Sequence, residues 1–204
     1  MNNKYLIVLG AGPQQVIVYE KARKLNIQTL ALDYNSKAVG FSHSSDQIVV
    51  QIKDANKCIK ALHEKNLNYG GVIGYGIELS PIVSMIANEF GLVSVPYFVA
   101  MQTTNKCIRS NMLRENNIPI PEFEVVNDNH KPSFAFPFVI KPSDNSGSRG
   151  VRLVNNDEEW DIAYEEALSY SSDGSVIAEE YLIGQEISIE GFILNGKIAI
   201  YGFT

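Results

Sequence analysis

The residues best suited to chemistry lie where an apolar strand runs out into a polar loop. Phe138-Val139-Ile140 ends in Lys141-Pro142 and opens into Ser143-Asp144-Asn145-Ser146-Gly147-Ser148-Arg149-Gly150. Such a loop can wrap phosphates: the glycines permit unusual backbone angles, the serines add hydroxyl donors, and Lys141 and Arg149 supply positive charge against a polyphosphate. It is not a P-loop, because no glycine-lysine-serine/threonine triplet occurs. Taken alone, it also reads as a hairpin turn rich in small polar residues.

Downstream, Ile177-Ala178-Glu179-Glu180-Tyr181-Leu182-Ile183-Gly184-Gln185-Glu186 is an apolar strand that ends in two acids, an aromatic and a leucine. Exposed backbone groups around Glu180, Tyr181 and Leu182 can read a purine edge while apolar side chains sandwich the ring, and Glu186 can accept from ribose hydroxyls. By itself the segment is equally a solvated strand edge.

Two glycine turns are weaker candidates for a substrate site. Gly10-Ala11-Gly12-Pro13-Gln14-Gln15 begins like a dinucleotide fingerprint but has Gln15 where the third glycine should stand, which argues against a nicotinamide-dependent oxidoreductase. Asp33 lies near the place of a ribose-binding acid, yet such an acid also ends strands in domains that bind no dinucleotide. Gly74-Tyr75-Gly76-Ile77-Glu78 follows another apolar strand, where crevices of open sheets hold ligands, so Gly74 and Glu78 can face a substrate.

These segments need elements to position them. Tyr5 to Leu9 reads as a strand covered on both faces, Gln14 to Asn26 as a helix facing inward through Val16, Tyr19, Ala22 and Leu25, and Thr29 to Leu32 as a second parallel strand. The rhythm repeats with a strand near Gln47 to Val50, a helix after Asp54 and a strand at Val72-Ile73. Ser80-Pro81 reads as N-cap and first helical position of a helix that Gly91 ends, and Leu92 to Val95 as a strand that closes the sheet. Thr103 or Thr104 caps one connector helix through Asn116, before Pro119 and Pro121.

Beyond the connector the pattern becomes hairpin-like. Strands are expected at Phe138 to Lys141 and Val151 to Val154, then a helix from an Asn156/Glu159 capping box to about Tyr170. Ile187 to Leu194 and Lys197 to Phe203 form a last pair around the Asn195-Gly196 turn, with nothing to cover their far side.

Bulk properties narrow the function. With 204 residues, 45% hydrophobic and 20% charged, the chain can bury a sizeable core in two compact units. A net charge of -6 disfavours a broad nucleic-acid surface. Cys58 and Cys107 lack metal or redox spacing and read as free thiols of a cytoplasmic protein. Neither a signal peptide nor an apolar run of about 20 residues is present, so a soluble chain is expected.

In order and separation, these parts resemble the ATP-grasp family, in the branch with carbamoyl-phosphate synthase large chains, biotin carboxylase and related carboxylate-amine ligases. The resemblance rests on Gly10-Ala11-Gly12, Thr104-Asn105-Lys106, Ile140-Lys141-Pro142, the glycine-serine loop through Val151, and Glu179 to Glu186. It implies an α/β chain: a Rossmann-like pre-ATP-grasp domain with a parallel sheet (1–95), a connector helix and linker (96–121), and an incomplete α+β ATP-grasp lobe (122–204). It further implies an ATP-dependent ligase that activates a small carboxylate as an acyl phosphate for an amine-type acceptor. Lys106 and Lys141 would neutralise phosphates, and the flap with Ser146, Gly147, Ser148 and Gly150 would close over them. Glu179 and the backbone of Glu180 to Leu182 would hold adenine, Glu186 would hold ribose, and Gly10, Gly12, Gly74 and Glu78 would border the acceptor site. The family's magnesium ligands are expected beyond this chain, which is therefore expected to be inactive by itself. A non-catalytic nucleotide- or metabolite-binding module on the same scaffold is the alternative. No nucleic-acid or membrane partner is expected, and a homodimer is compatible with the sequence.

Overall fold

Ile7, Val8 and Leu9 of Tyr5–Leu9 (β1) are fully buried, as a strand packed on both faces requires. The computed structural model describes residues 4–128, 130–145 and 147–204. β1 is followed by helix α1 (Val16–Lys24), β2 (Gln28–Asp33), β3 (Asp46–Val49), α2 (Ala55–Lys65), β4 (Tyr69–Gly74) and α3 (Ser80–Glu89). The strands form a parallel sheet in the order β3-β2-β1-β4, so the chain steps one way from β1 to β2 and the other way to β4. That reversal leaves a crevice beyond the C-terminal ends of β1 and β4.

Alternate residues of β1 face different helices. Ile7 and Leu9 pack with Leu30, Leu32, Cys58, Leu62 and Ile86 under α2 and α3, whereas Val8 packs with Ala31, Tyr19 and Phe41 under α1. Each fully buried Leu or Ile contributes about 1.5–3 kcal/mol relative to exposure. Tyr19 and Ala22 line the inner face of α1 as expected, but Leu25 is exposed, because the helix has already ended at Lys24 and Asn26 adopts a positive φ.

Three expectations about the connector are corrected. Leu92 to Val95 forms no strand, and β4 is the sheet's edge; Val95 instead uses its carbonyl to accept the Ser84 hydroxyl, and Val93 points into solvent. In place of one helix from Thr103, there are two: α4 (Tyr97–Thr104) and α5 (Lys106–Glu115), split at Asn105, whose extended backbone (φ -89°, ψ 121°) cannot continue a helix. The cap is therefore Asn105 rather than a threonine; Thr103 and Thr104 direct their hydroxyls back to the Ala100 carbonyl. Similarly, Ser80 is the first residue of α3 and not its N-cap.

The second sheet is antiparallel, in the order β5-β8-β6-β7, from β5 (Phe123–Val126), β6 (Phe138–Pro142), β7 (Arg152–Val154) and β8 (Val176–Glu180). Sequence reasoning missed β5, whose short Phe-Glu-Val-Val run lies just beyond the prolines of the linker. One face, through Val126, Phe138, Ile140, Val154, Val176 and Ala178, packs on α6 (Trp160–Ser169). Asn156 caps the 3-10 turn Asp157–Glu159 that leads into α6, accepting the Glu158 and Glu159 amides, but Glu159 returns its carboxylate to Asn155 and not to Asn156, so the capping box is displaced by one residue.

The other face of that sheet carries Lys141 and Glu179, since side chains alternate along a strand. A separate hairpin, β9 (Ile189–Leu194) and β10 (Lys197–Phe203), turns at Asn195-Gly196, both at positive φ as the tight two-residue turn demands. Its Phe192, Ile193, Ile198 and Tyr201 are all exposed, as anticipated. No described helix is long and apolar enough to cross a membrane.

Candidate functional site

Lys106 and Lys141 come from different elements but share one neighbourhood. Lys141 is the penultimate residue of β6, on the sheet face away from α6, where its ammonium pairs with the Glu179 carboxylate from β8. The pair is diagonal in the ladder: Val139 stands opposite Glu179, and Lys141 opposite Ile177. Lys106 is the first residue of α5, positioned by the Asn105 cap, and its backbone amide donates to the Ser143 carbonyl at 2.7 Å. The Lys106 ammonium donates to the carbonyl of Asn145 in the flap.

Burial is the main force that pulls the Lys106 ammonium below the ordinary lysine range, with the positive charges of Lys141 and Arg109 adding to it; Asp144 and Glu78 oppose. Lys106, Lys141 and Arg109 thus gather at the start of a helix and beside a glycine-rich loop, a donor set suited to phosphate oxygens. Glu78 acts on Lys106 electrostatically, so the Gly74 to Glu78 turn reaches toward Lys106 from the first sheet.

The flap has a fixed base and an exposed tip. At the base, Asp144 accepts the Ser172 amide at 3.0 Å, and Asn145 donates to the Tyr170 carbonyl at 3.0 Å. At the far end, Gly150 has φ +72°, and a Cβ there would sit 2.9 Å from a Tyr170 ring carbon, so only glycine fits. Between them Gly147 and Ser148, both at positive φ, are exposed together with Arg149. Ser146 lies outside the described residues.

Past the last strand pairs of β8, Tyr181 and Leu182 make no backbone hydrogen bond among the described residues, and their side chains are exposed. These are two of the residues whose backbone was expected to meet a purine edge. The Glu180 amide is already engaged, donating to the Glu122 carbonyl at 2.8 Å, just before β5, a strand that sequence reasoning had not found. Glu186 lies in an exposed stretch, and no described contact ties it to the rest of the site.

The two glycine turns of the first sheet do meet at the crevice beside β1 and β4. Gln15 is buried and donates its side-chain amide to the Tyr75 carbonyl at 2.6 Å, joining one turn to the other. A Cβ on Gly12 would come within 3.1 Å of the Gln15 amide oxygen, and one on Gly10 within 3.3 Å of its Cδ. The Gln15 side chain thus fills the space under the turn. Asp33 accepts the Ala11 amide at 2.7 Å and the Asn35 amide at 2.8 Å, which makes it a brace of the turn.

Sequence reasoning overlooked Asp173, Asn105 in its role as cap, and the nearby charge of Arg109; Ser143 and Asp144 were read as part of the loop and not as its brace. An asparagine directly before a helical lysine is a visible cap signal; nothing in Ser171-Ser172-Asp173-Gly174-Ser175 distinguishes it from any polar turn. Cys107 lies close by, but burial first, then Asp173 and Glu179, pushes its thiol up to about 11, so it is no nucleophile at neutral pH. Among the described residues no group of three or more His, Cys, Asp and Glu could hold a metal ion.

Comparison with known proteins agrees with this layout. Residues 134–204 match the ATP-grasp domain model. The D-alanine–D-alanine ligase of Methylacidiphilum infernorum is 25% identical over 199 residues, covering 95% of this chain and 59% of that protein. Among solved structures, an L-amino acid ligase from Bacillus licheniformis superposes with a TM-score of 0.82 at 17% identity, over 100% of this chain and 50% of its own. An N5-carboxyaminoimidazole synthetase from Staphylococcus aureus, complexed with ADP, gives 0.77 at 15% identity, over 100% and 56%. This chain thus spans between half and three-fifths of each of these proteins. Residues 134–204 thus match an ATP-grasp domain, and the similarity to ATP-grasp ligases along the rest of the chain supports the same superfamily.

Proposed function

We propose that this chain is the nucleotide-holding portion of an ATP-dependent carboxylate-amine ligase. In that reading residues 1–95 are the pre-ATP-grasp domain, 96–121 the connector, and 122–204 the first ATP-grasp lobe. The carrying observation is the approach of Lys106, Lys141 and the flap base to one another on the open face of the second sheet. ATP supplies the phosphoryl group that turns a carboxylate into an acyl phosphate.

The chain's own residues bind and orient. Lys106 and Lys141 take the phosphate oxygens; Lys106 exchanges its flap carbonyl for phosphate, and Lys141 shares its charge between phosphate and Glu179. The backbone of Tyr181 and Leu182, with the Glu180 carbonyl, reads the adenine edge, and Glu186 is assigned the ribose on its sequence offset alone. The flap tip of Gly147 to Arg149 folds down and excludes water that would hydrolyse a reactive acyl phosphate. Glu78 and the Gly10 to Gly12 turn border the carboxylate and its amine acceptor, the side from which Glu78 already faces Lys106.

Calorimetric titration of the intact gene product with ATP tests this reading. Saturable 1:1 binding, weakened by both Lys106→Met and Lys141→Met, is expected; binding indifferent to both changes would overturn it. Incubated alone with ATP and magnesium, the 204-residue chain is expected to release no phosphate at an enzyme-like rate.

A further inference from the structure

We propose that Asp173 is a positioning residue that holds Lys106 at the phosphate end of the cleft by clasping Asn105, an inference that rests on the nucleotide-binding reading above. Asn105 occupies the break between α4 and α5, and its side chain is bound at both ends. The amide oxygen accepts the Ile108 backbone N–H at 3.0 Å, and the amide nitrogen donates to Asp173 Oδ2 at 2.7 Å. The orientation of the amide is thereby determined, since Ile108 offers only a donor and Asp173 only acceptors.

The second oxygen of Asp173 gathers the rest. Oδ1 accepts the Ser143 hydroxyl at 2.7 Å, the Ser171 hydroxyl at 2.9 Å and the Ser175 amide at 2.8 Å. Ser143 immediately follows β6, two residues beyond Lys141, and its carbonyl receives the Lys106 amide. One carboxylate therefore links the start of the helix that bears Lys106, the end of the strand that bears Lys141, and the turn into β8. Burial opposes the charge on Asp173, but the hydrogen bonds from Ser143, Ser175, Ser171 and Asn105 together hold the carboxyl below its ordinary range.

The clasp has a force to resist. Lys106 is desolvated and repelled by Lys141 and Arg109, so an unrestrained α5 start would swing its ammonium toward water and away from the phosphate end. Asn105, adjacent to Lys106, is 7% exposed and Ser143 is fully buried, so Asp173, from an exposed turn, closes on partners that lie in the interior, where solvent does not reach them freely.

The polarity of the pair can be inverted without changing its shape. Asn105→Asp alone sets two carboxylates against each other, and Asp173→Asn alone sets two amides together. In the double variant, the new carboxylate still caps Ile108, and the new amide donates to it while its oxygen keeps the Ser143, Ser171 and Ser175 donors. ATP affinity of the intact gene product is measured by calorimetry, with thermal melting to verify that each variant is folded. Each single change is expected to weaken ATP binding about tenfold, and the double change to restore it to within about twofold. In a Lys106→Met background neither single change should alter affinity further.

Single variants that bind ATP like the parent would overturn the proposal, as would a double variant that stays weak, or weakening undiminished in the Lys106→Met background. Should Asn105→Asp not fold, Asp173→Asn and the double variant carry the same comparison. A parent that binds no ATP would remove the nucleotide-binding reading itself, and this inference with it, whereas the other failures leave that reading standing.

Discussion

Two loops in this chain have nearly the same vocabulary and opposite fates. Gly10 to Gln15 follows β1, and Ser143 to Gly150 follows β6; both are glycine-bearing and polar, and both leave the end of a buried strand. In the first, the polar groups close on the protein itself: Asp33 takes the Ala11 amide, Tyr19 donates to the Gly10 carbonyl, and Gln15 fills the hollow beneath. In the second, the two ends are braced, at Asp144 and Asn145 and at Gly150, while Gly147 to Arg149 stand exposed and the Lys106 ammonium lies at the base. A loop that satisfies its own donors is scaffold, and a loop with an open tip and a desolvated lysine at its base is the candidate place for a ligand. The difference is one of partners, which composition alone does not reveal.

Substitutions can break this contrast. The largest expected effect is that of Lys141→Met: removing a charge-assisted contact worth about 1.5–3 kcal/mol should weaken ATP binding by roughly one to two orders of magnitude. It also leaves Glu179 without its partner near the nucleotide. Calorimetry would check it, and unchanged affinity would place the phosphates elsewhere.

Asp33→Ala addresses the other loop. Loss of an acceptor for two backbone amides, with the buried Ala11 amide orphaned, should cost about 2–3 kcal/mol of stability in a denaturant melt. ATP affinity per folded molecule should not change, because the brace serves the first sheet. A large loss of affinity without loss of stability would reverse the roles assigned to the two loops.

Gly150→Ala is expected to cost about 1–2 kcal/mol for the left-handed backbone, plus strain against Tyr170, whereas Gly147→Ala meets no atom within 4 Å and should cost about 1 kcal/mol. Equal melting temperatures for the two variants would show that Tyr170 does not anchor the flap. The smallest effect is on pH. The depressed Lys106 releases its proton below the ordinary lysine range, while the unfolded chain still holds one, so its unfavourable contribution to stability fades as pH rises through that window. Phosphate binds the protonated form, so ATP affinity should fall over the same rise in pH, by a few-fold at most, and Lys106→Met should flatten that dependence.

Much of this was legible in the residues because the physics is local. The buried run of β1, the Asn195-Gly196 turn and the Lys141-led flap each follow from a few adjacent residue types. What escaped was set at a distance. Leu92 to Val95 is as apolar as a strand, yet strand pairing needs a neighbour in register, and β4 remains the edge. The split of the connector follows from Asn105, whose side chain is bound both to its own helix and to Asp173, 68 positions away. Glu180 was expected to present its amide, but β5, too short to be noticed, had already taken it. Within the site, the charged residues could be read from the sequence; the clasp that holds them could not.

A crystal structure of the intact gene product with a non-hydrolysable ATP analogue tests the central claim most directly. The account predicts phosphate oxygens within about 3 Å of both the Lys106 and Lys141 ammonium groups, with the adenine edge against the backbone of Tyr181 and Leu182. An analogue lodged instead against the Gly10 to Gly12 turn, with both lysines still bound to Asn145 and Glu179, would contradict it.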